Sequence, residues 1–134
     1  MWRMSWIVGL SACLLAGAAV AEDIVFENAR FRATLSETAV WQSLLDKASG
    51  DDYRPEAKAI AFASVHVGNS HYNASRAALS GDRLTLEFEG CGTRLVYGVE
   101  TSEDWIAFRL LEIGGSRPDR LVLARIGVSI TERV

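Results

Sequence analysis

Residues 84–89 read Leu-Thr-Leu-Glu-Phe-Glu, and this alternation of apolar with polar side chains decides the fold class. Side chains two positions apart on an extended chain lie on the same face of a β-strand, so the three apolar residues share one face. Residues 95–99 (Leu-Val-Tyr-Gly-Val) and 106–110 (Ile-Ala-Phe-Arg-Leu) have the same period. Three such segments in succession predict neighbouring strands that cover one side of a hydrophobic core.

Further strand candidates and tight turns extend this pattern over most of the chain. The other predicted strands are 24–26, 31–35, 39–45, 58–67 and 121–130. Turns are predicted at Ser49-Gly50-Asp51-Asp52, Ser80-Gly81-Asp82, Gly90-Cys91-Gly92 and Gly114-Gly115-Ser116. Many short strands with frequent turns are typical of an all-β antiparallel β-sandwich. Its core is predicted to contain Leu84, Leu86, Phe88, Ile106, Phe108 and Leu110. A short helical turn near 73–79 is the one alternative to strand structure.

Two changes of parity predict β-bulges. Leu121 and Leu123 share one face of a strand, whereas the apolar residues of 126–130 have the opposite parity. One inserted residue near Ala124-Arg125 would return both sets to the core. The same change of parity occurs between residues 110 and 111, so a second bulge is predicted there.

Residues 1–21 have the features of a secretory signal peptide. Arg3 is the only charged residue before Glu22. The apolar run 6–20 is shorter than the roughly 20 residues that span a membrane, and Ala-Val-Ala at 19–21 fits a cleavage site. We therefore expect a cleaved signal helix, a domain over 22–134, and a secreted or periplasmic mature chain with no stable membrane span.

Residues 10–13 (Leu-Ser-Ala-Cys) resemble a lipobox, so a lipoprotein anchored at Cys13 is the alternative localisation.

The composition of the mature chain limits its partners and its means of stabilisation. Cleavage after residue 21 would leave Cys91 as the single thiol, and stability must then come from a hydrophobic core. Apolar residues make up 49% of the chain and the net charge is −3, which excludes intrinsic disorder and argues against nucleic acid as a partner.

A motif near the start of the mature chain carries a family resemblance. The matching residues are Glu27-Asn28, Ser43-Leu44, Asp46-Lys47, Ser49-Gly50 and Tyr53. They resemble the opening of the galactose-mutarotase-like β-supersandwich of secreted carbohydrate-active enzymes of the glycoside hydrolase type. The resemblance implies a sandwich that lies N-terminal to a catalytic barrel. It does not imply one activity, because this fold serves hydrolases, lyases, epimerases and non-catalytic modules alike.

The resemblance leads to a functional expectation with two alternatives. We expect a non-catalytic, carbohydrate-associated β-sandwich module of a secreted bacterial protein, whose partner is a carbohydrate or a downstream catalytic domain. The alternatives are a sandwich enzyme that acts on sugars as an epimerase or glycosidase, and a periplasmic protein-interaction domain. Since the family's sandwich is larger, residues 22–134 are expected to be the N-terminal portion of a longer protein or a reduced remnant of the domain.

Residues 68–76 (Gly-Asn-Ser-His-Tyr-Asn-Ala-Ser-Arg) are the strongest candidate for ligand binding. A sugar stacks on an aromatic face, while amide and guanidinium groups bind its hydroxyls. The candidate ligand-binding residues are Asn69, His71, Tyr72, Asn73 and Arg76. An ordinary polar connection is the alternative explanation of this segment.

Candidates for catalysis and metal binding are few. Glu87 and Glu89 would lie about 7 Å apart along a strand, a spacing compatible with a glycosidase pair, although a solvated sheet face explains them more simply. His66 and His71 have no third metal ligand nearby in the sequence. We therefore assign no catalytic residue, no metal and no cofactor.

Overall fold

A computed structural model of the protein describes residues 22–54 and 59–125. Every regular element in these two ranges is a β-strand. The strands are β1 (Ile24–Glu27), β2 (Phe31–Leu35), β3 (Trp41–Asp46), β4 (Ser64–Val67), β5 (Ser70–Asn73), β6 (Arg76–Ser80), β7 (Arg83–Phe88), β8 (Thr93–Thr101), β9 (Ile106–Gly115) and β10 (Arg120–Val122). They form three antiparallel sheets, in the orders β1-β2-β3, β10-β4-β5 and β6-β7-β8-β9. The predicted all-β antiparallel sandwich is confirmed, while the predicted signal helix (1–21) lies outside the described residues.

The core joins the β1-β2-β3 sheet to the four-stranded sheet through a cluster of aromatic rings. Phe62 is fully buried, and its ring centroid lies 5.5 Å from that of Trp41, 5.6 Å from that of Tyr97 and 5.0 Å from that of Phe108. Phe26 meets Phe108 edge to face at 5.1 Å. Such pairs add to the stabilisation that burial itself provides. Because these rings come from β1, β3, β8, β9 and the connection before β4, the cluster holds these two sheets against each other.

The predicted core is confirmed, with a difference between its two strands. Leu84, Leu86 and Phe88 on β7 are buried. On β9 the equivalent side chains, Ile106, Phe108 and Leu110, are half-buried and pack against the same cluster. β9 lies at one end of its four-stranded order, and side chains at that position have fewer neighbours than those of central strands. The predicted alternation is therefore correct on both strands, although burial is less complete on β9.

The bulge predicted after residue 110 is present in β9. Val96 of β8 pairs with Glu112, and the next residue, Tyr97, pairs with Leu110. Leu111 is therefore the extra residue, and it packs over Gly98 on the outer face of the sheet. The other predicted bulge concerned residues 124–130, and 126–130 lie outside the described residues.

Two predictions about local structure were wrong and one alternative is excluded, each because of pairing beyond the local sequence. In the described part of predicted strand 58–67, which is 59–67, only β4 is a strand; residues 60–62 instead exchange backbone hydrogen bonds with 39–41. The loop predicted over 68–76 contains the β4–β5 hairpin and the first residue of β6. The helical turn considered at 73–79 is excluded, because pairing with β7 holds Arg76–Ser80 extended despite the alanines there.

Residues 123–125, which we call the closing segment, form hydrogen bonds with three residues of the core. Arg125 N–H donates to the carbonyl of Phe62 at 2.7 Å. The Tyr97 hydroxyl donates to the carbonyl of Leu123 at 2.6 Å, and the indole N–H of Trp41 donates to the carbonyl of Arg125. Two buried aromatic residues thus place their only polar side-chain atoms on the same short segment. In the described ranges, no helix is long and apolar enough to cross a membrane.

Candidate functional site

The residues predicted as a sugar-binding set lie in two sheets and on two faces. Asn69 is exposed in the β4–β5 turn. On β5, His71 and Asn73 are exposed, whereas Tyr72 between them is half-buried and packs against the core. Arg76 lies on β6 in another sheet, where it pairs with Glu87 at 3.6 Å. The structure brings His71 and Asn73 to one face but does not gather the five residues around one ligand position.

The two histidines meet across the β4–β5 hairpin. His66 and His71 are directly opposed, and their ring centroids are 4.8 Å apart. Asp119 lies beside this hairpin, where its carboxylate accepts a hydrogen bond from Gly68 N–H at 2.7 Å. In the part of the chain that the structure describes, no three His, Cys, Asp or Glu side chains form a group that could hold a metal ion.

Glu87 and Glu89 border a groove of about 670 Å³ on the outer face of the four-stranded sheet. Glu87 is paired with Arg76 on β6 and lies opposite Arg94 on β8, which itself contacts Glu112 at 3.4 Å. The charges therefore alternate in sign across four strands of an exposed face. A glycosidase general acid needs a carboxyl in a desolvated setting. This exposed ladder of ion pairs fits the solvated face expected from the sequence better than a catalytic pair.

A second groove, which we call the motif groove, lies where the β2–β3 hairpin meets the β8–β9 connection. Its volume is about 610 Å³. The lining residues are Ala29, Arg30, Phe31, Leu44, Asp46, Lys47, Ala48, Tyr53 and Asp104. Four of them, Leu44, Asp46, Lys47 and Tyr53, belong to the motif that carries the family resemblance. The second half of the motif therefore contributes four side chains to one concavity.

Asn28 determines the entry into this hairpin. Its Oδ1 accepts hydrogen bonds from the backbone N–H groups of Arg30 and Phe31, both at 2.9 Å. This is the local side-chain-to-backbone bond by which asparagine favours turns. The backbone N–H of Lys47 then donates to the carbonyl of Arg30 at 2.9 Å and joins the end of β3 to the start of β2.

The other end of the motif turns the chain back over β3. Asp46 Oδ1 accepts a hydrogen bond from Ala48 N–H at 2.9 Å, and Gly50 adopts a φ of 77°, which glycine tolerates best. The backbone N–H of Tyr53 donates to the carbonyl of Leu44 at 2.9 Å. These bonds fix the backbone of Tyr53 beside the strand, so that its ring borders the groove.

The groove has an apolar floor and a charged rim. Phe31, Leu44 and Tyr53 are half-buried and provide the floor. On the rim, the Arg30 guanidinium contacts the Asp104 carboxylate at 3.5 Å. Lys47 Nζ lies 2.5 Å from Glu27 Oε1, and this hydrogen bond, with the charge of the lysine, lowers the pKa of Glu27. An aromatic and aliphatic floor with polar groups around it can accept the carbon face of a ring and bind its substituents.

Asp52 connects the motif turn to β3 through its carboxylate. The carboxylate accepts hydrogen bonds from Ser43 Oγ at 3.0 Å and from Leu44 N–H at 3.2 Å, and Arg54 contacts it at 3.0 Å. Burial raises the pKa of Asp52, but the bonds from Arg54, Ser43 and Leu44 outweigh that effect and lower it overall. The ionised carboxylate therefore strengthens the backbone that supports the groove.

Sequence reasoning missed two rim residues, Arg30 and Asp104. Arg30 follows a strand end and is one of many arginines, and Asp104 lies far along the chain in the β8–β9 connection. A signal for this region was available in Trp105, which follows Asp104 and is 50% exposed. An exposed tryptophan beside a carboxylate is common at binding surfaces. Comparison with models of known protein families, with curated proteins and with solved structures gave no match.

Proposed function

We propose that this chain is a non-catalytic, carbohydrate-associated β-sandwich module of a secreted protein, and that the motif groove holds the glycan. One observation carries the proposal: four of the motif residues line one groove together with Arg30 and Asp104, and this groove has an apolar floor and a polar rim. Its volume of about 610 Å³ lies within the range of small-molecule sites. Export is part of the proposal and rests on the features of residues 1–21.

The chemistry of the groove matches the two faces of a sugar. A pyranose presents C–H groups that stack on an aromatic ring, and Tyr53 offers such a ring on a backbone fixed by hydrogen bonding. Hydroxyl groups both donate and accept hydrogen bonds, so they suit a rim that has donors on Arg30 and acceptors on Asp104. Trp105 follows Asp104 in the chain and is 50% exposed, so it offers a second aromatic side chain beside that rim residue.

The carboxylates of the groove support a binding role over a catalytic one. Asp46 is engaged by backbone N–H groups of its own turn, and Asp104 is paired with an arginine. General acid–base catalysis at a glycosidic bond needs one carboxyl kept protonated and a second one kept ionised. Asp46 and Asp104 are each engaged by donors of the protein itself, so neither is free to act as such a pair.

Affinity electrophoresis of the full-length protein, purified after export, tests the proposal. Native gels that contain soluble polysaccharides should retard the wild type. Tyr53→Ala should lose most of this retardation because the stacking ring is gone, whereas Tyr53→Phe should retain it. Arg109→Ala is a surface control, since Arg109 pairs with Glu100 away from the groove.

The same binding experiment, with activity assays beside it, distinguishes the proposed module from a sugar-acting enzyme and from a protein-interaction domain. Failure of every polysaccharide to retard the wild type would contradict the proposal and favour a protein-interaction domain. Turnover of glycosides or of aldose anomers that is lost in Glu87→Gln or Glu89→Gln would favour the enzyme, with its site in the charged groove of the outer face. Intact mass of the exported protein tests the localisation: a chain beginning at Glu22 is expected, and a lipidated chain beginning at Cys13 would overturn it.

A further inference from the structure

We infer that the motif groove selects uncharged glycans, an inference that rests on the function proposed above. The reason is that every charged side chain lining the groove already has a partner within the protein. Arg30 pairs with Asp104, Lys47 pairs with Glu27, and Asp46 accepts backbone hydrogen bonds. A glycan that carries carboxylate or sulfate groups needs a cation that is free to receive it.

Lys47 is the less available of the two cations. Its Nζ lies 2.5 Å from Glu27 Oε1, and its side chain is only 33% exposed. The lowered pKa of Glu27 has the hydrogen bond from Lys47 as its largest cause, which agrees with the short distance. An anionic ligand would have to displace a carboxylate that is already in place and leave it beside the new negative charge. The net interaction gained in such an exchange is small.

The Arg30–Asp104 pair is the more open one and suits neutral hydroxyl groups. The two groups are 3.5 Å apart, and both side chains are 69% exposed, so the ion pair itself is weak. It presents guanidinium donors next to carboxylate acceptors, which together match a pair of neighbouring hydroxyls. An anion that approaches Arg30 also meets the negative charge of Asp104, which lies 3.5 Å from the guanidinium. The pair therefore favours hydroxyls and disfavours acids.

The charges around the groove also favour uncharged glycans over acidic ones. Among the lining residues, Arg30 and Lys47 contribute two positive charges and Asp46 and Asp104 contribute two negative ones, so the groove has no excess of positive charge. The whole chain carries a net charge of −3. Long-range electrostatics thus slow the approach of polyanions at low ionic strength.

Affinity electrophoresis with two sets of polysaccharides tests this inference. The neutral set is galactomannan, xyloglucan and mixed-linkage β-glucan, and the acidic set is alginate and polygalacturonate. The wild type should be retarded by at least one neutral polymer and by neither acidic one. Binding to the neutral polymer should change less than about twofold between 0.05 and 0.5 M NaCl, because no counterions are exchanged.

A substitution of Asp104 gives the most decisive test of the Arg30–Asp104 pair. Asp104→Asn keeps a hydrogen-bonding group but removes the charge that competes for Arg30, so retardation by acidic polymers should appear at low salt. Arg30→Ala should weaken neutral binding roughly three- to tenfold, the loss of one hydrogen-bonding group. Glu100→Gln is the matched control, because the Arg109–Glu100 pair also spans 3.5 Å at a similar exposure but lies outside the groove.

The possible outcomes distinguish this inference from the function on which it rests. Preferential binding of acidic polymers by the wild type would overturn the selection of uncharged glycans and leave glycan binding intact. Unchanged rejection of acidic polymers by Asp104→Asn would overturn the assigned role of the Arg30–Asp104 pair. Absence of binding to both sets would overturn the proposed function itself.

Discussion

Removal of the Phe62 ring should cost more stability than any other single truncation in the aromatic cluster. Phe62 is fully buried and its ring meets those of Trp41, Tyr97 and Phe108, with centroids 5.0 to 5.6 Å apart. Phe→Ala substitutions in cores cost about 3–5 kcal/mol. We expect Phe62→Ala to lie near 4–5 kcal/mol on that scale, because its neighbours belong to different sheets and cannot collapse together into the cavity.

Phe108→Ala is the matched comparison. Phe108 is half-buried and lies on β9, so part of its ring is already in contact with water. Its truncation should cost roughly 2–3 kcal/mol, below the range for a fully enclosed phenylalanine. Urea unfolding followed by far-ultraviolet circular dichroism measures both losses without relying on Trp41, which is next to the mutated ring. A loss for Phe62→Ala that is smaller than that for Phe108→Ala would refute the reasoning that places Phe62 between the sheets.

Three further outcomes follow from other parts of the structure. Tyr97→Phe removes the donor to the closing segment, and should lower the free energy of unfolding by about 1 kcal/mol in the same urea assay, with no change in strand content. Gly115→Ala should be much more destabilising than Gly81→Ala in thermal unfolding: both glycines have positive φ, but a Cβ on Gly115 would lie 2.0 Å from the carbonyl oxygen of Gly92, whereas one on Gly81 meets open space. Because the pKa of Glu27 is lowered in the folded state, its pairing with Lys47 stabilises the protein above the ordinary value of 4.5 and stops doing so as the pH falls through the folded-state pKa. The stability difference between wild type and Lys47→Gln should therefore shrink between pH 6 and pH 3, and a constant difference would contradict the assigned pairing.

The alternation of apolar and polar residues along the sequence predicted those strands that bury one face. β7 alternates strictly, β8 and β9 alternate over part of their length, and even the bulge at Leu111 is visible as a change of parity. The β4–β5 hairpin has no such signal, because Ser70–Asn73 is a run of polar and aromatic residues. Its strand structure comes from pairing with β4. Likewise, Ala77 and Ala78 favour a helix by themselves and are held extended by β7.

The candidate site was predictable only in the part that is local in sequence. The turn from Asp46 to Tyr53 follows from residue types that cap and close turns, so its shape could be expected. The pairing of Arg30 with Asp104 could not, because it depends on how the β8–β9 connection lies against the β2–β3 hairpin. The predicted set at 69–76 was assembled from chemical type alone, and strand alternation placed Tyr72 on the opposite face from its neighbours.

The closing segment has a consequence for the order in which the chain can fold. The bond from Trp41 to Arg125 joins residues 84 positions apart, and that from Tyr97 to Leu123 spans 26. Contacts of such long range form late, because the entropy of closing the intervening loop must be overcome first. A nascent chain that has not yet released Arg125 lacks the acceptors for two of its core aromatic residues. Folding of the aromatic core is therefore completed only after the chain has been synthesised at least as far as Arg125.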